Sequence, residues 1–164
     1  STQGYSSAAS DVYKRQDLYE TAKSAMQELT APAELKNVSI RLEGKKTVIQ
    51  GIPQLVSGIV FNLMDNAVKY NKDGGLVIVR LGEEKGQAVL TVTDTGIGIS
   101  PEYQERVFER FYRVDKSHSK EIGGTGLGLS IVKHAALILG AAIELDSTVG
   151  KGTIVTVRFP MEKK

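Results

Sequence analysis

Between residues 18 and 30 the apolar positions Leu18, Ala22, Ala25, Met26 and Leu29 recur every three or four residues, the spacing of a helix with one buried face. Asp17 stands where an N-cap belongs, and Pro32 marks the expected end. Short β-rich runs follow at 38–42 and 47–50. From Pro53, a residue suited to a first helical turn, a long and mostly apolar helix is predicted to Tyr70, ended by the turn Asn71-Lys72-Asp73-Gly74-Gly75. Apolar and polar residues then alternate over 76–81 and 88–94, which predicts two strands joined in a hairpin around Glu83 to Gly86.

Beyond Asp94 the periodicity weakens. Two glycine clusters enclose a short helix expected at 102–110 and a polar stretch at 115–121, the pattern of a mobile lid. A third helix is predicted at 129–139, then a strand at 142–146, a turn at Gly150-Lys151-Gly152 and a last strand at 153–159. Separate helices beside a sheet that is largely antiparallel predict an α+β fold, a two-layer sandwich with the helices on one face of a mixed sheet. Residues 1–16 are small, polar and aperiodic. They are expected to be a tag, scar or disordered leader, which leaves 17–164 as the folded domain.

Composition narrows the functions. With 164 residues the chain suits one domain. Its net charge is only +2 and no long run carries one sign, which argues against nucleic acid or a membrane surface as partner. There is no cysteine, so disulfides and thiolate metal sites are excluded. No apolar stretch approaches the roughly 20 residues of a membrane span.

Four features could carry chemistry. Asn62, Asn66 and Lys69 share one face of the long helix, with Tyr70 beside them. Such a stripe is either the helix's solvent face, the commoner case, or the lining of a polar site. Asp94-Thr95-Gly96-Ile97-Gly98 ends a strand, where glycines let the backbone turn sharply and approach a ligand; alone, Asp-x-Gly is a common turn. The run from Gly123 to Ser130, GGTGLGLS, opens into a helix whose free N–H groups suit phosphate. Its G-x-G-x-G spacing fits neither the dinucleotide fingerprint nor the P-loop. Finally, Phe108-Glu109-Arg110-Phe111-Tyr112-Arg113 is either a short anchored helix with solvated arginines or a source of guanidinium for phosphate.

In order and spacing these segments resemble the histidine-kinase branch of the Bergerat-fold (GHKL) ATP-binding superfamily. NLMDNAVKY is similar to its N box, DTGIGIS to its first glycine box, FERFYR to its F box, GGTGLGLSIVKH to its second glycine box, and GKGT near the end also matches. The resemblance covers about residues 18–160. It implies ATP and Mg²⁺ as ligands, with Asn66 giving an amide oxygen to the metal and Asn62 nearby. Lys69 would reach a phosphate and Tyr70 would border the ribose or base. Asp94 would accept from the adenine amino group, Thr153 would hold a bridging water, and Gly96 and Gly98 would make room for the base. Gly124, Thr125, Gly126, Leu127 and Gly128 would belong to the lid over the phosphates. Arg113 is the first choice and Arg110 the second for the γ-phosphate.

The implied reaction is transfer of the ATP γ-phosphoryl group to a histidine nitrogen. ATPase relatives carry glutamate where this chain has Asn62; an amide cannot serve as the base that activates water, so a kinase is expected rather than a hydrolase. The histidine box of the family is absent: His118 falls in the lid and His134 on a helix face. The acceptor histidine is therefore expected on a separate dimerisation domain, with a response regulator as the indirect partner. The fragment itself is expected to be monomeric and cytoplasmic, from a parent anchored in the membrane. Two other readings remain open, a noncatalytic ATP-sensing module of the same fold and an anti-sigma-type serine kinase.

Overall fold

The structure, a computed structural model, describes residues 13–104, 108 and 128–160. In chain order the elements are β1 (Lys14–Asp17), α1 (Leu18–Leu35), β2 (Ser39–Gly44), β3 (Val48–Gly51), α2 (Pro53–Lys69), β4 (Leu76–Glu84), β5 (Gln87–Asp94), α3 (Pro101–Gln104), α4 (Gly128–Leu139), β6 (Ala142–Thr148) and β7 (Gly152–Pro160).

Five strands form the main sheet in the order β2-β4-β5-β7-β6, with β2 parallel to β4 and the other pairs antiparallel. Alternation along each strand sends Val77, Val79 and Leu81, Ala88, Leu90 and Val92, and Val155, Val157 and Phe159 into one buried face. The helices cover that face. α2 touches both α1 and α4 and presents Val56, Ile59, Val60, Leu63, Met64, Ala67 and Val68 to the core. The opposite face carries Arg80, Thr91, Thr93, Thr156 and Arg158, and stays partly in water. This is the mixed-sheet, two-layer α+β sandwich expected from the sequence.

Two boundaries differ from expectation. Pro32 does not end α1, which runs on to Leu35. A proline costs one intrahelical N–H bond, and here Ala33 continues the buried stripe of Leu18, Ala22, Ala25 and Leu29. The helix stops at Asn37, whose φ of 59° is left-handed, with Asn37 N–H donating to Glu34 O at 3.0 Å and Val38 N–H to Ala33 O at 2.8 Å. That is the Schellman arrangement with asparagine in place of glycine. The second difference concerns residues 14–16, which the sequence reading leaves in the leader. They pair antiparallel with β3 in a separate two-stranded sheet, from Lys14 opposite Gly51 to Asp17 opposite Val48. Asp17 does cap α1: its Oδ1 accepts from Tyr19 N at 3.0 Å and also from Thr47 N at 2.9 Å, tying the cap to the strand connection.

The β4–β5 hairpin closes through Lys85 and Gly86, both at positive φ, the two-residue turn whose twist matches its strands. Other differences are of one to three residues, as at β4, which extends to Glu84, and β6, which extends to Thr148.

Candidate functional site

The register of the sheet assembles the site's centre. Val77 is opposite Asp94, Asp94 opposite Thr153, and Thr153 opposite Ser147, so four neighbouring strands contribute one transverse row on the helix-covered face. In β5, β7 and β6 the apolar alternation ends here, where Asp94, Thr153 and Ser147 take the face that Val92, Val155 and Leu145 hold two residues away.

Asp94 Oδ1 accepts from Gly96 N at 2.8 Å and from Thr153 N at 3.2 Å. Its other oxygen has no protein partner among the described residues and is available to a ligand. Burial pushes the carboxyl up from its usual 3.8 to about 6, and the two backbone N–H bonds pull it back only in part. Above that pH Asp94 offers acceptors only.

The loop after Asp94 is pinned on two sides. Ile97 N–H donates to Tyr70 O at 3.1 Å, joining it to the end of α2, while Gly150 N–H donates to Ile97 O at 2.9 Å and Ile99 N–H to Ser147 Oγ at 2.7 Å, joining it to the β6–β7 turn. A Cβ on Gly96 would lie 2.3 Å from Tyr70 O, and one on Gly98, where φ is +75°, would lie 2.2 Å from Thr148 O. Both glycines are therefore demanded by the protein's own backbone, which must pass this closely to hold Tyr70 and Asp94 together.

Asn62, Asn66 and Lys69 on α2, and Tyr70 directly after it, are all half-buried. Asn62 Nδ2 donates to Gly58 O at 2.7 Å, and no hydrogen bond engages its oxygen among the described residues. No hydrogen bond engages the Asn66 side chain among the described residues. Lys69 Nζ lies 2.9 Å from Asp65 Oδ2, a helical ion pair one turn apart that keeps the ammonium at this end of α2.

Three supporting residues escaped the sequence reading. Asn71 is only 4 % exposed and three bonds engage its amide: Nδ2 donates to Leu76 O at 3.1 Å, and Oδ1 accepts from Lys72 N at 2.9 Å and Thr95 Oγ1 at 3.1 Å. Lys36 reaches across from the end of α1, and its Nζ donates to Lys69 O and, at 2.9 Å, to Asn71 O. Burial lowers the Lys36 pKa from its usual value. Ser147 is the third, and joins the loop to β6 as described above. Asn71 carried a signal, since asparagine after a helix commonly bonds its own backbone; Lys36 and Ser147 carried none, because their partners are distant in sequence.

Gly128 opens α4, and His134 is exposed on that helix. Arg110, Arg113, Gly124, Thr125, Gly126 and Leu127 lie outside the described residues, as does His118. So do most of the expected 102–110 helix and the polar stretch read as a lid; the described part is α3. Gln104 Nε2 in α3 donates to Ile99 O at 2.8 Å and Ser147 O at 3.1 Å.

Residues 51–163 match the family model described as histidine kinase-, DNA gyrase B- and HSP90-like ATPase. The chain belongs to this family. Among sequence relatives, the sensor histidine kinase RppB of Synechocystis is 43 % identical over 103 residues, 63 % of this chain and 23 % of the relative. The phosphate regulon sensor protein PhoR of Pseudomonas aeruginosa is 42 % identical over 125 residues, 76 % of this chain and 28 % of that one. The chain thus spans about a quarter of the length of these relatives. Among solved structures, the mycobacterial sensor histidine kinase MprB superposes with a TM-score of 0.80 at 29 % identity, covering 93 % of this chain and all of the other. The catalytic domain of histidine kinase ThkA shares the fold, with a TM-score of 0.78 at 18 % identity. The chain corresponds to the ATP-binding catalytic domain of sensor histidine kinases.

Proposed function

We propose that this domain binds Mg-ATP with its adenine against Asp94 and passes the γ-phosphoryl group to a histidine on a separate dimerisation and acceptor domain of the same parent kinase. The observation that carries this reading is the Asp94 carboxylate, with one oxygen held by two backbone N–H groups and the other without a protein partner among the described residues. A free acceptor suits the amino group of adenine, whereas guanine offers a carbonyl there. Two facing acceptors cost ~1–3 kcal/mol, about tenfold or more in favour of ATP over GTP.

The oxygen donors on α2 fit a hard cation bound mainly by phosphate and water. Among the described residues no cluster of three His, Cys, Asp or Glu side chains exists, so a metal here depends on its nucleotide for most ligands. Asn66 is the protein's own ligand in this reading, with Asn62 in the next layer; the cation supplies charge neutralisation on the phosphate oxygens. Lys69 exchanges Asp65 for a phosphate oxygen, a move of one flexible side chain. Tyr70 borders the ribose or base, and Thr153 holds a bridging water. Gly124, Thr125, Gly126, Leu127 and Gly128 close over the phosphates, while Arg113, or failing it Arg110, stabilises charge on the γ-phosphate.

The acceptor imidazole nitrogen attacks phosphorus, the bond from phosphorus to the bridging oxygen breaks, and ADP leaves with the electron pair. Alignment and charge stabilisation suffice for this chemistry. Asn62 lacks the basicity to activate water, which favours transfer over hydrolysis. The phosphoryl group then goes to the receiver domain of a response regulator. No helix among the described residues is long and apolar enough to cross a membrane; in this reading the domain works on the cytoplasmic side of a membrane-anchored parent.

Incubating the domain with labelled ATP, Mg²⁺ and a separately expressed acceptor-helix domain tests the reaction. Acid-labile, base-stable phosphate on the acceptor histidine is expected. Acid-stable phosphate on serine would indicate a serine kinase, and nucleotide binding without any transfer would indicate a sensing module.

A further inference from the structure

Ser147 Oγ lies within hydrogen-bond distance of three groups: Ile99 N at 2.7 Å, Gly152 O at 3.0 Å and Thr153 Oγ1 at 2.7 Å. A serine hydroxyl has one proton and two lone pairs. Ile99 N–H can only donate, so it takes one lone pair. Gly152 O can only accept, so it claims the proton. What remains on Ser147 is one lone pair, and Thr153 satisfies it by donating its own hydroxyl proton. In the other assignment Ser147 donates to Thr153, the Gly152 contact is lost and a lone pair of a half-buried serine goes unused. Complete hydrogen bonding therefore selects the first arrangement.

The consequence falls on Thr153. With its proton turned towards Ser147, Thr153 Oγ1 has only lone pairs left for the space it shares with Asp94, which is directly opposite it on the neighbouring strand. We infer that Ser147 is a specificity-determining positioning residue: by fixing the Thr153 proton it makes Thr153 and Asp94 a pair of acceptors that selects a purine with an amino group, not a carbonyl, at position 6. This rests on the adenine site proposed above and adds a residue to it. Whether they meet the base directly or through one water whose two protons they both claim, two acceptors facing position 6 of the base require a donor there, which the adenine amino group supplies and the guanine carbonyl does not.

The test is titration of the folded domain with nonhydrolysable ATP and GTP analogues plus Mg²⁺, for the wild type, Ser147→Ala, Ser147→Thr, Thr153→Val and the double variant. Ser147→Ala frees the Thr153 hydroxyl to donate, and the ATP-to-GTP affinity ratio should fall about tenfold. Ser147→Thr keeps the hydroxyl and should keep the ratio. Thr153→Val leaves the Ile99–Ser147 bond intact and should lower the ratio as well, with the double variant no lower than the stronger single one. A Ser147→Ala domain that loses both nucleotides equally, with the ratio unchanged, would show a merely structural serine and overturn the inference. Where Ser147→Ala does not fold, an unchanged ratio in Thr153→Val overturns it equally. A wild type that binds neither nucleotide overturns the adenine site itself and this inference with it.

Discussion

Asp94 is held against its own preference for water. Burial raises its pKa to about 6 from 3.8, so between those values the folded chain retains a proton that the unfolded chain has released. Stability therefore falls as pH rises through this window, by on the order of 1–3 kcal/mol in all, and the loss persists above it. Asp94→Asn keeps an acceptor for Gly96 and Thr153 N–H while removing the charge. It should raise the melting temperature relative to wild type at pH 8, lose that advantage near pH 4, and bind ATP at least tenfold more weakly. Melting curves at both pH values check the first two points; a variant less stable than wild type at pH 8 would mean that the carboxylate stabilises the fold. The aspartate and its glycines were legible in the sequence as a strand end followed by a sharp turn. What the sequence could not supply was the reason for Gly98, because Thr148 O comes from a strand fifty residues away.

The long helix α2 and the strands were readable because each is longer than one period of its own pattern. Pro53 at the start and the alternation through Val77, Val79, Leu90 and Val92 need no tertiary knowledge. The end of α1 was misread because a proline signal competed with a buried alanine one residue later, and burial prevailed. The end of α2 depends on Lys36, whose Nζ satisfies the carbonyls of Lys69 and Asn71 where the helix leaves its own acceptors unpaired. Lys36→Met keeps most of the apolar stem and removes the donor. It should cost ~1–3 kcal/mol in urea unfolding and weaken ATP binding through displacement of Tyr70, whose carbonyl receives Ile97 N–H. Wild-type stability in this variant would mean that water replaces the ammonium without loss.

At the scale of the whole molecule, the five-stranded sheet and its helix layer form the domain, and β1 joins it from outside through β3. A chain beginning at residue 17 should keep the main sheet and its ATP site but lose about 1–3 kcal/mol, since the β1–β3 ladder is short and partly exposed; urea unfolding and nucleotide titration of the two lengths check this together. The pairing of 14–16 was invisible in the sequence because four residues are too few to show a period. The order β2-β4-β5-β7-β6 brings Asp94, Thr153 and Ser147 into one row, and the bond from Ile97 N–H to Tyr70 O ties the loop after Asp94 to the end of α2, so the proposed adenine and phosphate sites adjoin. Calorimetric titration with a nonhydrolysable ATP analogue and Mg²⁺, against the GTP analogue and against Asp94→Asn, tests whether Asp94 reads adenine there. Saturable one-to-one binding is expected, favouring ATP by about tenfold or more and weakened at least about tenfold in the variant; equal binding of both nucleotides, or an Asp94→Asn domain that binds as wild type does, would rule out adenine reading by Asp94.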